Sequence, residues 1–321
     1  MKQIITSIAL LLIAATLFTA CGNENTEATE ADQMKNIYQK SDPSQDDTLN
    51  ILMVGSSFCY YYVEELYGML DSIGIKANVC NVYYSGCPLE KHFTWWKTGE
   101  AHYDYYMTNA DGRVKTAGAN LEWCLQQQNW DIISLQESTS KIFNAGFENH
   151  LETTKIWRTE LWAYLKEQFP MSRYLWHQPW TYQIGTASNG YVMETSQQQD
   201  YNTNQVKEFA LVVCKELDLE RVNTGEAWQI VRNEYGYDNL CARIGKGENN
   251  AGDNYHDGDW GGGQYLNACV WFEIITGQSC IGNTYRPKYE DAGLDLSLSE
   301  DLVQMLQQAA HKAVEQLNST N

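Results

Sequence analysis

Asp253, Asn254, Tyr255 and His256 set a carboxylate and an imidazole three residues apart, just before a glycine-rich run and an apolar helix. A carboxylate beside a histidine can hold one ring tautomer and stabilise the imidazolium that forms when the ring takes a proton from a nucleophile. The matching nucleophile is a serine in Gly55, Ser56, Ser57, Phe58, directly after the apolar run Ile51 to Val54. A serine that leaves a strand and opens a helix can point its hydroxyl into a crevice while its own backbone N–H faces the same space. Two further groups fit such a site. Gly86 has no side chain to keep a substrate oxygen away from its N–H, and the Gln136 side chain ends in an amide donor. Ser57, Gly86 and Gln136 would then supply three donors to a tetrahedral oxyanion, with Ser57, His256 and Asp253 as nucleophile, base and orienting acid.

These residues need a scaffold that brings distant segments to one edge. The spacing predicts a strand at Ile51 to Val54 and a helix through Val63, Leu66, Leu70 and Ile73. Further strands are predicted at Val79 to Tyr84, Ile132 to Leu135 and Tyr174 to Trp176. Helical patterns follow at Thr153 to Phe169, Asn204 to Leu217, Gly225 to Tyr235, Gln264 to Thr276 and Glu300 to Gln316. Strands alternating with helices argue for a parallel sheet covered on both faces, whose ligands sit at the carboxyl ends of the strands. Phe93 to Gly118 breaks the alternation. With its many aromatics and an Asp111–Gly112 turn it reads as a hairpin insertion, either a substrate wall or a plain extension of the fold.

The serine turn, the glycine, the Gln136 segment and the Asp253 to His256 pair resemble, in order, the four blocks of the SGNH, or GDSL-like, hydrolases. Gly55 to Phe58 is also similar to the GNSF-type block of a branch common among Bacteroidetes lipoproteins, with Leu89, Glu90 and His92 after the glycine and Leu135, Gln136 and Glu137 at the third block. Ser56 stands where the superfamily commonly has Asp or Asn, and Gln136 replaces its Asn. The resemblance implies a three-layer α/β/α sandwich with a flavodoxin-like central parallel sheet of about five strands. It implies a serine esterase that works without a cofactor, most simply removing an O-acetyl group from a carbohydrate. His92, His177, Trp180 and Glu137 are expected to line the substrate site; Glu226 and Trp228 could reach the crevice or serve packing. His102, His150 and His311 read as surface residues.

At the N-terminus, Lys2, an apolar run from Ile4 to Ala15 and small residues before Cys21 resemble the leader and lipobox of a bacterial lipoprotein. Residues 1–20 are thus expected to be removed and Cys21 lipidated, which would anchor the chain in the cell envelope by lipid rather than by a spanning helix. Residues 21–50, polar and acidic, read as a tether, and 51–321 as one domain. Without the leader, 21 Lys and Arg face 41 Asp and Glu, which argues against nucleic acid as a partner. The 21 Tyr and 11 Trp suit stacking on sugars as well as filling a core. Two other readings compete with catalysis. Asp253, His256, Asp257 and Asp259 could collect a divalent cation, or the fold could bind surface glycans without turning them over.

Overall fold

The computed structural model describes residues 47–188, 191–244, 256–291 and 294–319. The expected leader, tether and lipidation site at Cys21, and the expected acid Asp253, lie outside them.

The first half of the chain builds five strands and the helices between them. β1 (Leu49–Gly55) runs into a short 3-10 turn (Ser57–Cys59) and α1 (Val63–Asp71), then β2 (Ala77–Tyr83) and α2 (Leu89–Thr98). β3 (Tyr103–Asn109) and β4 (Gly112–Ala119) form a hairpin, followed by α3 (Leu121–Leu125), β5 (Ile132–Gln136), α4 (Thr139–Ala145) and α5 (Phe147–Gln168). After β6 (Arg173–His177) come the short pair β7 (Ala187–Ser188) and β8 (Tyr191–Val192), α6 (Ser196–Leu217), β9 (Glu220–Val222) and α7 (Thr224–Glu234). α8 (Gly263–Thr276), the ribbon β10 (Lys288–Asp291) and β11 (Leu294–Ser297), and α9 (Glu300–Ser319) complete the described chain.

The main sheet has the order β4-β3-β2-β1-β5-β6-β9. β2, β1, β5, β6 and β9 are parallel, in the flavodoxin order; β3 and β4 continue the sheet antiparallel beyond β2. Helices cover both faces, so the fold is a three-layer α/β/α sandwich. Strand side chains alternate between two cores. Ile51, Met53, Val79, Ile132 and Leu175 join α1, α7, α8 and α9 on one face. Leu52, Val54, Val82, Ile133, Leu135 and Trp176 meet α5 and α6 on the other. Burial on both sides is why the central strands read as continuous apolar runs.

The insertion differs from its sequence-based outline. Its first part, expected as a strand, is α2: Leu89 and His92 lie buried one turn apart, and Trp95 and Trp96 continue the same spacing. Only Tyr103 to Ala119 forms the hairpin, and it extends the sheet. α6 begins eight residues before the apolar pattern does, because Thr195 accepts a hydrogen bond from the Gln198 N–H and caps a polar first turn (3.2 Å).

Candidate active site

Ser57 sits two residues past the end of β1's register with β2, in which Gly55 faces Tyr83. The turn that carries it is held from several sides. The Ser56 carbonyl accepts from the Cys59 N–H (3.1 Å), and the Ser57 carbonyl from the Tyr60 N–H (3.2 Å). Below the turn, Asn81 on β2 donates to the Cys59 carbonyl (2.5 Å). Phe58 is buried against Trp180, ring centroids 4.8 Å apart. The hairpin contributes too, since Arg113 on β4 donates to the Tyr60 carbonyl (2.9 Å) and lies over the Tyr60 ring (4.2 Å). Gly55 is required by close approach: a Cβ there would stand 2.6 Å from Cγ and Cδ of Gln136.

Gly86 occupies the third position of the turn Tyr84 to Cys87, closed by the Cys87 N–H on the Tyr84 carbonyl (3.2 Å), with φ +61°. That geometry favours glycine. Neither the Ser57 nor the Gly86 N–H has a hydrogen-bond acceptor among the described residues. Both stand at the carboxyl edge of the sheet, where an oxyanion could use them.

The half-buried His256 ring lies 5.0 Å from the Tyr61 ring and 6.2 Å from Phe58, centroid to centroid, which puts it beside the serine turn. Its segment is anchored by backbone pairing: the Gly258 N–H reaches the Leu240 carbonyl and the Gly261 N–H the Ala242 carbonyl, both at 2.9 Å. Side chains there would collide with the 239–242 backbone, which is what the glycine-rich run is for. The buried Asp257 accepts from Asn267 (3.1 Å), and Asn267 in turn accepts from the Trp228 indole (2.8 Å). Asp259 accepts from the Ile244 and Trp260 N–H groups. Both carboxylates therefore brace this loop; among the described residues no three His, Cys, Asp or Glu side chains gather into a metal site.

The sequence profile of the family described as "Domain of unknown function (DUF4886)" matches residues 50–312. The chain belongs to that family. A crystal structure of a DUF4886 family protein from Bacteroides uniformis has the same fold, with a TM-score of 0.69 at 24% identity over 84% of this chain and 95% of that one. Lower similarity extends to an acetylxylan esterase from Geobacillus stearothermophilus (TM-score 0.41, 15% identity, 71% and 94% covered). A lipase/acylhydrolase from Enterococcus faecalis gives TM-score 0.44 at 12% identity, with 71% and 96% covered. No curated protein matches the sequence.

Within this DUF4886 domain, the residues expected to line a substrate site are all buried. His92 is fully buried, its ring stacked on Tyr103 and its Nδ1 2.9 Å from the Tyr103 hydroxyl; burial lowers its pKa to about 3. Trp180 is fully buried and stacks on Trp228, 4.6 Å between centroids. Glu137 is a buried junction. One oxygen accepts from the Leu89 N–H (3.3 Å) and the Ser138 N–H (2.6 Å), and the other pairs with His150 (3.0 Å). That pairing also places His150 inside the protein rather than on its surface, whereas His102 is exposed and His311 half-buried. Gln136 is fully buried, its amide 2.7 Å from the Ser56 hydroxyl and 3.1 Å from Nδ1 of His177. Its contacts with Ser56 and His177 brace the serine turn. His177 is buried as well, which lowers its pKa to about 3. Trp228 serves packing, and Glu226 pairs with Lys207 on α6 (2.6 Å) and with Arg221 on β9.

Sequence reasoning did not single out Tyr60, Tyr61, Arg113 or Arg243. Arg243 lies 4.2 Å over the Tyr61 ring and donates to the Asp257 carbonyl (3.1 Å), so it joins the His256 loop to the serine turn. Their signal was thin: the tyrosines follow the serine block directly, and Arg113 follows the hairpin turn.

Proposed function

We propose that this protein is a serine esterase of the SGNH type. Ser57 attacks an ester carbonyl while His256 takes its proton; the alcohol leaves with that proton, and water activated by His256 then hydrolyses the acyl-enzyme. Asp253, three residues before His256, orients the ring. The Ser57 and Gly86 N–H groups receive the oxyanion, and Gln136 acts from below by fixing Ser56. The observation that carries this reading is the combination at one sheet edge: an anchored serine turn, two backbone N–H groups without acceptors, and an imidazole packed against Phe58 and Tyr61. The substrate in this reading is a carbohydrate O-acetyl ester, supported by the half-buried tyrosines 60, 61, 83 and 106 near the turn. The chain would act in the cell envelope, tethered through lipidated Cys21; Cys21→Ala should move it to the soluble fraction, and an unchanged membrane fraction would refute the anchor.

Hydrolysis of p-nitrophenyl acetate and of acetylated xylan tests the activity. Ser57→Ala and His256→Ala should each lower kcat by roughly a thousandfold or more. A folded wild type inactive on every acyl ester tried, yet retained on glycan columns, would establish the non-catalytic binder instead.

A further inference from the structure

Two serines, 56 and 57, stand side by side at the end of β1, and both are buried. A row of polar groups begins at the first of them and runs away from the site. Ser56 Oγ lies 2.7 Å from the Gln136 amide, Gln136 lies 3.1 Å from His177 Nδ1, His177 Nε2 lies 2.9 Å from Thr224 Oγ1, and Thr224 Oγ1 lies 2.8 Å from the Gln178 carbonyl. All five residues are buried, at 0–1% exposure. Gln136 and His177 are partners at the last rung between β5 and β6, so the sheet register sets the central contact.

Counting hydrogens gives the row a direction. The Gln178 carbonyl can only accept, so Thr224 donates its single hydrogen there. His177 must then donate to Thr224 from Nε2. Its surroundings are the rings of Tyr62, Trp180 and Trp271, and burial depresses its pKa to about 3, so the ring is neutral near pH 7. A neutral ring protonated at Nε2 has a bare Nδ1, which needs a donor. The Gln136 amide supplies it with its nitrogen end toward His177, which leaves its oxygen end to accept from Ser56. The structure has the nitrogen end 2.7 Å from Ser56 and the oxygen end 3.1 Å from His177; the two ends of an amide are nearly equal in size, so turning it over by 180° keeps the same positions. The opposite orientation leaves one of the four bonds unmade.

We propose that His177 and Thr224 are positioning residues that act through Gln136: a one-way hydrogen-bond row, Ser56 to Gln136 to His177 to Thr224 to the Gln178 carbonyl, ties down the Ser56 hydroxyl and leaves Ser57 as the reactive one of the pair. The row accounts for both departures noted in the sequence. Ser56 supplies a hydroxyl donor, and the longer Gln136 side chain spans from the turn to β6.

The assignment rests on Ser57 as nucleophile for its kinetic consequence, but its tautomer can be read without any activity. Nitrogen-15 NMR of the full chain labelled at histidine should show His177 neutral, protonated at Nε2 and bare at Nδ1, at pH 7. A ring protonated at Nδ1 would overturn the proposal. In parallel, Thr224→Val should lower kcat for p-nitrophenyl acetate roughly tenfold with KM unchanged, and Thr224→Ser, which keeps the hydroxyl, should restore it. Equal activity in Thr224→Val and wild type would also overturn it. A wild type without esterase activity but with the Nε2 tautomer would instead remove the esterase reading and leave the row standing.

Discussion

At the scale of single residues, Ser57 is distinguished from Ser56 by what each hydroxyl meets. Ser56 faces Gln136 beneath the turn, while Ser57 opens the 3-10 turn at the sheet edge. Gly55 makes this possible. Gly55→Ala would press a methyl group into Gln136, which is held at both ends and cannot swing aside. The expected result is a loss of about 1–3 kcal/mol in urea unfolding, as for other overpacked sites, with a larger fractional fall in kcat than in KM. Unchanged kcat would show that Gln136 does not set the serine turn. Strand spacing brings Ser57, Gly86 and Gln136 to the ends of successive strands, and the three-residue spacing to Asp253 draws attention to His256. Spacing could not separate residues at the sheet edge from those buried in the core. His177 and Trp180 leave the end of β6 while His92 sits on α2, and the turn from open crevice to closed core is a matter of packing depth that no pattern of residue types records.

At the scale of elements, the His256 loop depends on helices far from it in sequence. α8 is buried on nearly all sides, and its Asn267 links the Trp228 indole on α7 to the Asp257 carboxylate beside His256. Asn267→Leu keeps the volume but removes both bonds, stranding buried polar groups at about 1–3 kcal/mol each. Thermal or urea unfolding should therefore register a destabilisation of roughly 3 kcal/mol, with esterase activity falling alongside; a loss under 1 kcal/mol would mean the bridge is dispensable. The strands and most helices were readable from their periods. The aromatics of Phe93 to Gly118 suit a single hairpin, but the buried spacing of Leu89 and His92 makes its first part the end of α2, and only Tyr103 to Ala119 forms the hairpin. The sheet's antiparallel extension depends on non-local pairing of β3 with β2, which local pattern does not specify.

At the scale of the whole molecule, three buried titrating groups shape stability. His92 and His177 stay neutral in the folded protein down to about pH 3, but take up protons near pH 6.5 when unfolded. Unfolding then binds protons, so stability falls as pH drops from about 6.5 toward 3, by about 1.4 kcal/mol per unit for each. Glu65 acts in the opposite sense. Burial raises its pKa to about 8, whereas the unfolded carboxyl ionises near 4.5, so stability falls as pH rises from about 4.5 to 8. With two groups favouring higher pH against one favouring lower, these three place the stability maximum near pH 6.5. Urea unfolding at pH 5, 6.5 and 8 checks this; stability still climbing at pH 8 would contradict it.

Catalysis by Ser57 is tested most directly by reacting the folded protein with a fluorophosphonate and mapping the adduct by peptide mass spectrometry. The account predicts one adduct, on Ser57, absent from Ser57→Ala and sharply slowed in His256→Ala. No adduct on the wild type, or one that persists on Ser56 in Ser57→Ala, would contradict it.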